Sequence, residues 1–286
     1  MKHIEMANTP IQIRCCEPVL MIDMSYYIFH RFFATQRWFS FQDKEAVDQG
    51  HTLCDRDDFM TAYKKHFLQD LEKFGKKIAN KTKNPILFLK DCPRSAIWRN
   101  EHVNDYKSTR ILSNKMDTRI FNKTYEWVES TLDKSCQIMS IDNLEADDLA
   151  YLFKVALRSN NPRQEIRIIS NDNDYFQLYG DSCIIYNASL KNIKERCKYG
   201  CPQKEKRLKI LLGDKSDNIK PCIPSKFKKH IPECLEWSEE ALYTFLQENE
   251  LYEKFCNNKK LVDLSCIPDM YQDRFFNKYR ISNLVE

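Results

Sequence analysis

Apolar residues along the chain fall into short continuous runs, separated by longer stretches where they recur every third or fourth position. The runs are 19–22 (VLMI), Ile86–Leu89, 138–139, Ile166–Ile169 and Cys183–Tyr186. Runs of this length read as buried strands. Between them, Phe59, Tyr63, Phe67, Leu71, Phe74 and Ile78 recur at helical spacing, as do Leu144, Leu149, Leu152, Phe153 and Ala156. Strand–helix alternation predicts an α/β domain over residues 1–190, with a mostly parallel central sheet flanked by helices. The opening MKHIEMANTPIQIRCCEP reads as a tail before the first strand. Past about residue 190 the strand signal fades. SEEALYTFL (238–246) predicts a helix with a Ser238 cap and early acids. Residues 191–286 are therefore expected to form a helical subdomain.

The strand ends carry acids. The first run stops at Asp23, the second leads through Lys90 to Asp91, and the fourth leads through Ser170 and Asn171 to Asp172 and Asp174. Ligands of open α/β sheets sit beyond the carboxyl ends of the strands. The helix NLEADDLAYLF adds Glu145, Asp147 and Asp148, with Asn143 as its expected cap. Glu145 and Asp148 share a face. Asp148 lies beside the stripe of Leu144, Leu152 and Val155 and should point inward. LLGDKSDNI (211–219) adds Asp214 and Asp217. Each motif alone has a plain alternative: acids suit a helix N-terminus, and NDND suits an Asx-turn. Converging carboxylates repel one another without counter-charge, and hard divalent cations with oxygen ligands supply it. Two such ions about 4 Å apart can activate a water and stabilise a leaving oxygen at phosphorus. No Ser–His–Asp or Cys–His pattern competes, and the absence of a phosphate-cradling glycine loop excludes P-loop chemistry.

Composition narrows the class. Of 286 residues, 42% are hydrophobic, 30% charged and 12% aromatic, with only 5 glycines; this describes a soluble globular chain. No apolar run approaches the ~18 residues that span a membrane, and the start lacks the apolar core of a signal peptide. The 12 cysteines then read as reduced thiols of an intracellular protein. Structural zinc is not expected, because HTLC and CKYGC lack a second half. Net charge is +4, but residues 191–230 hold 13 Lys and Arg against 4 Asp and Glu, whereas residues 231–286 hold 6 against 11. A basic block interleaved with Tyr199 and Phe227 suits a polyanion or a solvated face.

In order and spacing, LMIDMSYYIFHRFFA, LFLKD, YKSTR, LEADDLA, IISNDNDYFQL and GDKSDNI resemble the motif string of the 5′-nucleases. That family includes flap endonucleases and the 5′-nuclease domain of bacterial DNA polymerase I. The motifs cover roughly residues 19–220. SAIWRNEHVNDYKSTR and residues 257–279 are most similar to the ribonuclease H type of T-even bacteriophages. The resemblance implies a PIN/5′-nuclease-like sheet and a helical arch, built from about 92–130, that threads a single strand. The arch would offer Arg94, Arg99, Lys107, Arg110, Lys115, Arg119 and Lys123, with Trp98, Tyr106 and Tyr125 for stacking.

Carried over residue by residue, Lys107 and Arg110 would hold the scissile phosphate. Tyr106 would stack on the terminal base, and Arg31 and Lys215 would meet phosphate. Asp23, Asp91, Glu145, Asp147 and Asp172 would serve a first Mg²⁺. Asp174, Asp214 and Asp217 would serve a second, Asp148 would complete the acidic set, and Mn²⁺ would substitute. After Asp217 the text IKPCIPSKFKKHIP has none of the glycines that many relatives use to bind duplex phosphate through backbone amides. Lys226, Lys228 and Lys229 are expected to replace those amides with side-chain charge.

The implied substrates are DNA 5′ flaps, nicked duplexes and RNA–DNA primers in replication or repair. A single-stranded-DNA-binding protein or a sliding clamp would be the protein partner of a monomer, in an intracellular setting of viral or phage origin. Two rivals stand beside this: a PIN-type RNA endonuclease, and a non-catalytic scaffold for branched DNA.

Overall fold

The computed structural model describes residues 9–48, 50–103, 105–108, 116–132 and 135–283. Five parallel strands form the central sheet: β2 (Val19–Asp23), β3 (Ile86–Leu89), β4 (Cys136–Met139), β5 (Ile166–Ile169) and β6 (Cys183–Tyr186). Their spatial order is β4-β3-β2-β5-β6. Met21 pairs with Leu87 on one side and Ile168 on the other. All five predicted strands are present. Because they run parallel, their carboxyl ends share one edge.

Side-chain alternation divides the core between the two faces. Val19 and Met21 join Leu87, Leu89, Ile166 and Ile168 on one face, while Leu20 and Ile22 join Phe88 and Ile169 on the other. Helices α1 (Met24–Phe39), α3 (Asp57–Lys77) and α4 (Arg119–Thr131) cover the second face, with a short α2 (Lys44–Asp48) beside them. The predicted Phe59–Ile78 periodicity is the buried stripe of α3. Helix α5 (Ala146–Asn160) covers the first face, burying Leu149, Leu152, Phe153 and Ala156. Val155, placed on that stripe from the sequence, is 41% exposed instead. The cap of α5 also shifts: Glu145, not Asn143, closes its N-terminus in a capping box with Asp148, and Asn143 takes a positive φ of 74°.

A helical unit follows: α6 (Pro202–Leu212), α7 (Ile231–Glu236), α8 (Glu239–Glu248) and α9 (Tyr252–Val262). They enclose their own core of Ile210, Leu211, Cys222, Leu242, Leu246 and Phe255. The expected Ser238 cap is present, its Oγ accepting from the Ala241 N–H at 3.2 Å. The helical subdomain nevertheless stops near Val262. Helix α10 (Asp269–Lys278) and strand β7 (Tyr279–Asn283) return to the α/β domain. There β7 pairs in parallel with β1 (Thr9–Ile13), the segment expected to be a tail. Ile11, Ile13, Phe275 and Tyr279 all enter the first core. Long-range burial of these apolar residues outweighs their weak local strand signal.

Candidate active site

Three of the parallel strands deliver acids to the common edge. Asp23 ends β2 and caps α1, accepting from the Tyr26 N–H and the Ser170 hydroxyl, each at 3.0 Å. Asp91, just past β3, accepts from the Ala146 N–H at 2.8 Å and so ties that strand to the start of α5. Asp172, beyond β5, accepts from the Asp174 N–H at 3.0 Å, so the Asx-turn weighed as the plain alternative for NDND is present alongside the strand-end placement. Asp147 stands on the first turn of α5, and one oxygen each from Glu145, Asp147 and Asp148 lie within 4.8 Å of one another.

The charge of this set is unevenly balanced. Burial, and then the Asp91 charge, push the carboxyl of Asp23 up to about 7. Burial likewise raises Asp91, and burial together with Asp148 and Glu145 raises Asp147. Asp172 is raised too, by protein packed around its carboxyl and then by the Asp174 charge, although the residue as a whole is exposed. Among the described residues, none of these four makes an ion pair. Their oxygens are hard donors whose proton affinity is raised even with Lys107, Arg99 and Lys209 nearby, which suits a divalent cation.

The other acids have partners. Glu145 receives the Lys107 ammonium at 2.5 Å, Arg99 at 2.9 Å and the Tyr106 hydroxyl at 3.2 Å. Burial would raise its carboxyl, but Lys107 and Arg99 outweigh burial and hold it low. Lys107 has a positive φ of 55°, and its N–H donates to the Asp217 carbonyl at 3.0 Å. Asn218 grips the same segment, donating to the Asp105 carboxylate at 2.6 Å. The GDKSDN loop thus fixes where Lys107 stands. Gly213 permits that loop, because its φ is 70° and an added Cβ would lie 2.2 Å from the Ile219 carbonyl oxygen.

Asp174, Asp214 and Asp217 form a second group around the Lys209 ammonium, at 2.5, 2.8 and 3.5 Å. Burial works against Asp214, yet Lys209 and Ser216 bring its carboxyl down to about 2. A cleft of about 290 Å³ opens here, lined by Asp172, Asp174, Lys209, Asp214 and Ser216 among others. Sequence reasoning missed Lys209. Its only signal is a lysine one turn before Gly213 on an otherwise basic helix.

The sequence model of the 5′-3′ exonuclease N-terminal, resolvase-like domain matches residues 18–206. The chain belongs to this 5′-3′ exonuclease family. Ribonuclease H of Enterobacteria phage T4 is 26% identical over 236 residues, which cover 75% of this chain and 76% of the relative. A 5′-3′ exonuclease of Buchnera aphidicola subsp. Schizaphis graminum (strain Sg) is 28% identical over 214 residues, covering 73% and 66%. The fold matches that of the bacteriophage T5 D15 flap endonuclease, solved as a pseudo-enzyme-product complex with DNA and metal ions. The TM-score is 0.58 at 15% identity, over 90% of this chain and 96% of that one. The PIN-like architecture expected from the motifs is therefore present in this member of the nuclease family.

Several residues of this 5′-nuclease chain stand apart from their expected places. Arg99 is 1% exposed and cannot reach a substrate. Its Nε donates to the Leu261 carbonyl at 2.8 Å, and its other nitrogens donate to Glu145 and Asp148. Asp148 points inward as expected, but it accepts from Trp98 once, Arg99 twice and the Glu145 N–H. Three of these bonds fall on Oδ2 and one on Oδ1, so Asp148 is committed mainly to the core, with Oδ1 keeping one acceptor position. Tyr106 is buried against Glu145, and Trp98 against Asp148, so neither ring is open to a base.

Arg31 pairs with Asp70 at 2.6 Å. The last part of the expected arch is α4, packed on the sheet through Ile120, Thr124 and Val128. Its Arg119 bonds Asp117 and Asp55, Lys123 bonds the Cys54 carbonyl, and Tyr125 lies under the Lys90 ammonium. Arg94, Lys215, Lys226, Lys228 and Lys229 are exposed. Arg110 and Lys115 lie outside the described residues. Among the described residues, no helix is long and apolar enough to cross a membrane.

Proposed function

We propose that the protein is a divalent-metal-dependent 5′-nuclease. It would hydrolyse phosphodiester bonds near the 5′ ends of DNA flaps, nicked duplexes and RNA–DNA primers during replication or repair, with magnesium as the working ion. The observation that carries this is the convergence of Asp23, Asp91 and Asp172 from three strand ends, with Asp147 on the first turn of α5, all four with carboxyls raised above their ordinary range. These four, with Glu145 beside them, would hold a first ion, and Asp174, Asp214 and Asp217 a second. Bound ions would supply an activated water and charge to stabilise the leaving oxygen.

The chain's own groups would do the rest. Burial would strip the proton from Lys107, but Glu145 first and Asp217 in addition keep it charged, so it presents a cation beside the acids. With Arg110 it would hold the scissile phosphate and offset charge that grows in the transition state. Asp217 and Asn218 would keep Lys107 in position. Lys215, Lys226, Lys228 and Lys229, all exposed, would track duplex phosphate. A single-stranded-DNA-binding protein or a clamp would deliver the substrate.

The test is a 5′-labelled flap, a primer–RNA hybrid and the same flap with a blocked 5′ end, each with magnesium or chelator. Magnesium-dependent products from the free 5′ end are expected. Absence of metal-dependent cleavage would leave a branched-DNA scaffold, and cleavage indifferent to the block would leave an internal RNA cutter.

A further inference from the structure

We propose that Lys209 is the internal counter-ion of the second acidic group, and that a second divalent ion binds only by displacing its ammonium. The proposal rests on the nuclease reading above and concerns how that site is filled. Asp174 comes from the turn after β5, whereas Asp214 and Asp217 come from the loop after α6. One nitrogen lies 2.5, 2.8 and 3.5 Å from oxygens of all three. A small cation would be drawn to that point, because three carboxylates from two separate segments share it.

The rest of the site makes Lys209 the relevant cation. Lys107 and Arg99 form their ion pairs with Glu145 and Asp148, and Lys107 adds its charge near Asp217, but among the described residues Lys209 is the cation in direct contact with all three acids. The backbone of α6 is anchored: Asn258 on α9 donates to the Ile210 carbonyl at 2.9 Å, and the Cys222 and Ile223 N–H groups close the helix on the Leu211 carbonyl. The stem above Cα is a flexible four-carbon chain ending in a compact point charge. The side chain is 18% exposed and borders the open cleft, so the ammonium has a way out. The lysine therefore holds three like charges together while no ion is present, and it competes with the ion that replaces it. Among the described residues, no cation forms an ion pair with Asp23, Asp91, Asp147 or Asp172. The two sites fill in order, the uncompensated one first.

Mn²⁺ binding by the chelator-treated full chain, without DNA, tests this by counting free Mn²⁺ with electron paramagnetic resonance. The wild type should show one tight and one weaker site. Lys209→Met should tighten the weaker site about tenfold, within the usual range of coupling between sites. Lys209→Arg, which retains the charge, should leave it weak. In chelator, Lys209→Met should melt below the wild type, and Mn²⁺ should raise its melting temperature by more than it raises that of the wild type.

A measurement on the unaltered protein guards against a misfolded variant. Acetic anhydride followed by mass mapping should find Lys209 protected without ions, protected with one Mn²⁺ bound, and several-fold more reactive as the second binds. Unchanged second-site affinity in a folded Lys209→Met, or unchanged reactivity of Lys209 across the second binding step, overturns the proposal and leaves the nuclease reading intact. Failure of the wild type to bind Mn²⁺ at all overturns both.

Discussion

The acids after β2 and β3 and the acids around α6 are balanced in opposite ways. Asp23, Asp91, Asp147 and Asp172 have carboxyls pushed upward by loss of solvent and then by neighbouring acids: Asp91 and Asp172 for Asp23, Glu145 for Asp91, Asp148 and Glu145 for Asp147, and Asp174 for Asp172. Asp214 is pulled down to about 2 by Lys209 and Ser216, and its neighbours Asp174 and Asp217 share the same ammonium. A third set, Glu145 and Asp148, is neutralised from inside by Arg99 and Lys107. Carboxylates that look equivalent in a motif string therefore differ in what they need. Among the described residues, one set makes no ion pair, one shares a single lysine, and one is wired into the core.

Substitutions can break or sharpen that contrast. The largest effect belongs to the uncompensated group. Asp23→Asn should lower flap cleavage by at least about a thousandfold while leaving DNA binding near wild type by filter assay; loss of both together would indicate misfolding. Next is the wired group. Arg99→Met leaves the buried Asp148 without its cation and Glu145 with Lys107 alone, and should cost about 3–5 kcal/mol in urea unfolding. A change below about 1 kcal/mol would show that the buried network is not a structural anchor.

Lys107→Ala should reduce kcat by roughly 10²–10³-fold with little change in DNA affinity. An equal fall in both would contradict its assigned place at the phosphate. Smaller, but sharper for the comparison, is one substitution made in the two halves and measured in chelator at pH 8. The carboxyl of Asp23 is raised from its ordinary 3.8 to about 7, so the fold holds its proton more tightly than the unfolded chain does. Stability is therefore lost as pH rises through that interval, and Asp23→Asn should raise the melting temperature. Asp214 is lowered from 3.8 to about 2, so its contribution is present above about pH 4 and is lost as pH falls toward 2. Asp214→Asn should destabilise by roughly 1–2 kcal/mol. The same sign at both positions would erase the distinction. The smallest effect lies outside all three groups. Alanine at Lys226, Lys228 and Lys229 should weaken duplex binding modestly. It should also flatten the salt dependence, by up to about one unit of slope for each phosphate that a lysine no longer neutralises.

Much of this site was legible before folding. Asp23, Asp91 and Asp172 follow apolar runs, and in a parallel sheet the ends of such runs must share an edge. What the motifs could not rank was charge balance. Arg99 looked like one more basic residue on a threading arch. Only packing against α5 and Leu261 turns its guanidinium into the anchor of Glu145 and Asp148. Tyr106 and Trp98 were misplaced for the same reason, since burial decides whether an aromatic ring meets a base or a carboxylate.

Local pattern alone determined the five strands, the helices over 57–77 and 146–160, the Ser238 cap and the strand-end acids, because side-chain periodicity and capping act within a few residues. The tertiary structure decided the rest. It pairs Thr9–Ile13 with Tyr279–Asn283, folds 264–283 back onto the first core, and brings Lys209 between acids 35 residues before it and 5 and 8 after it. Those outcomes depend on burial and Coulomb energy summed over distant segments, and no window along the chain contains that sum.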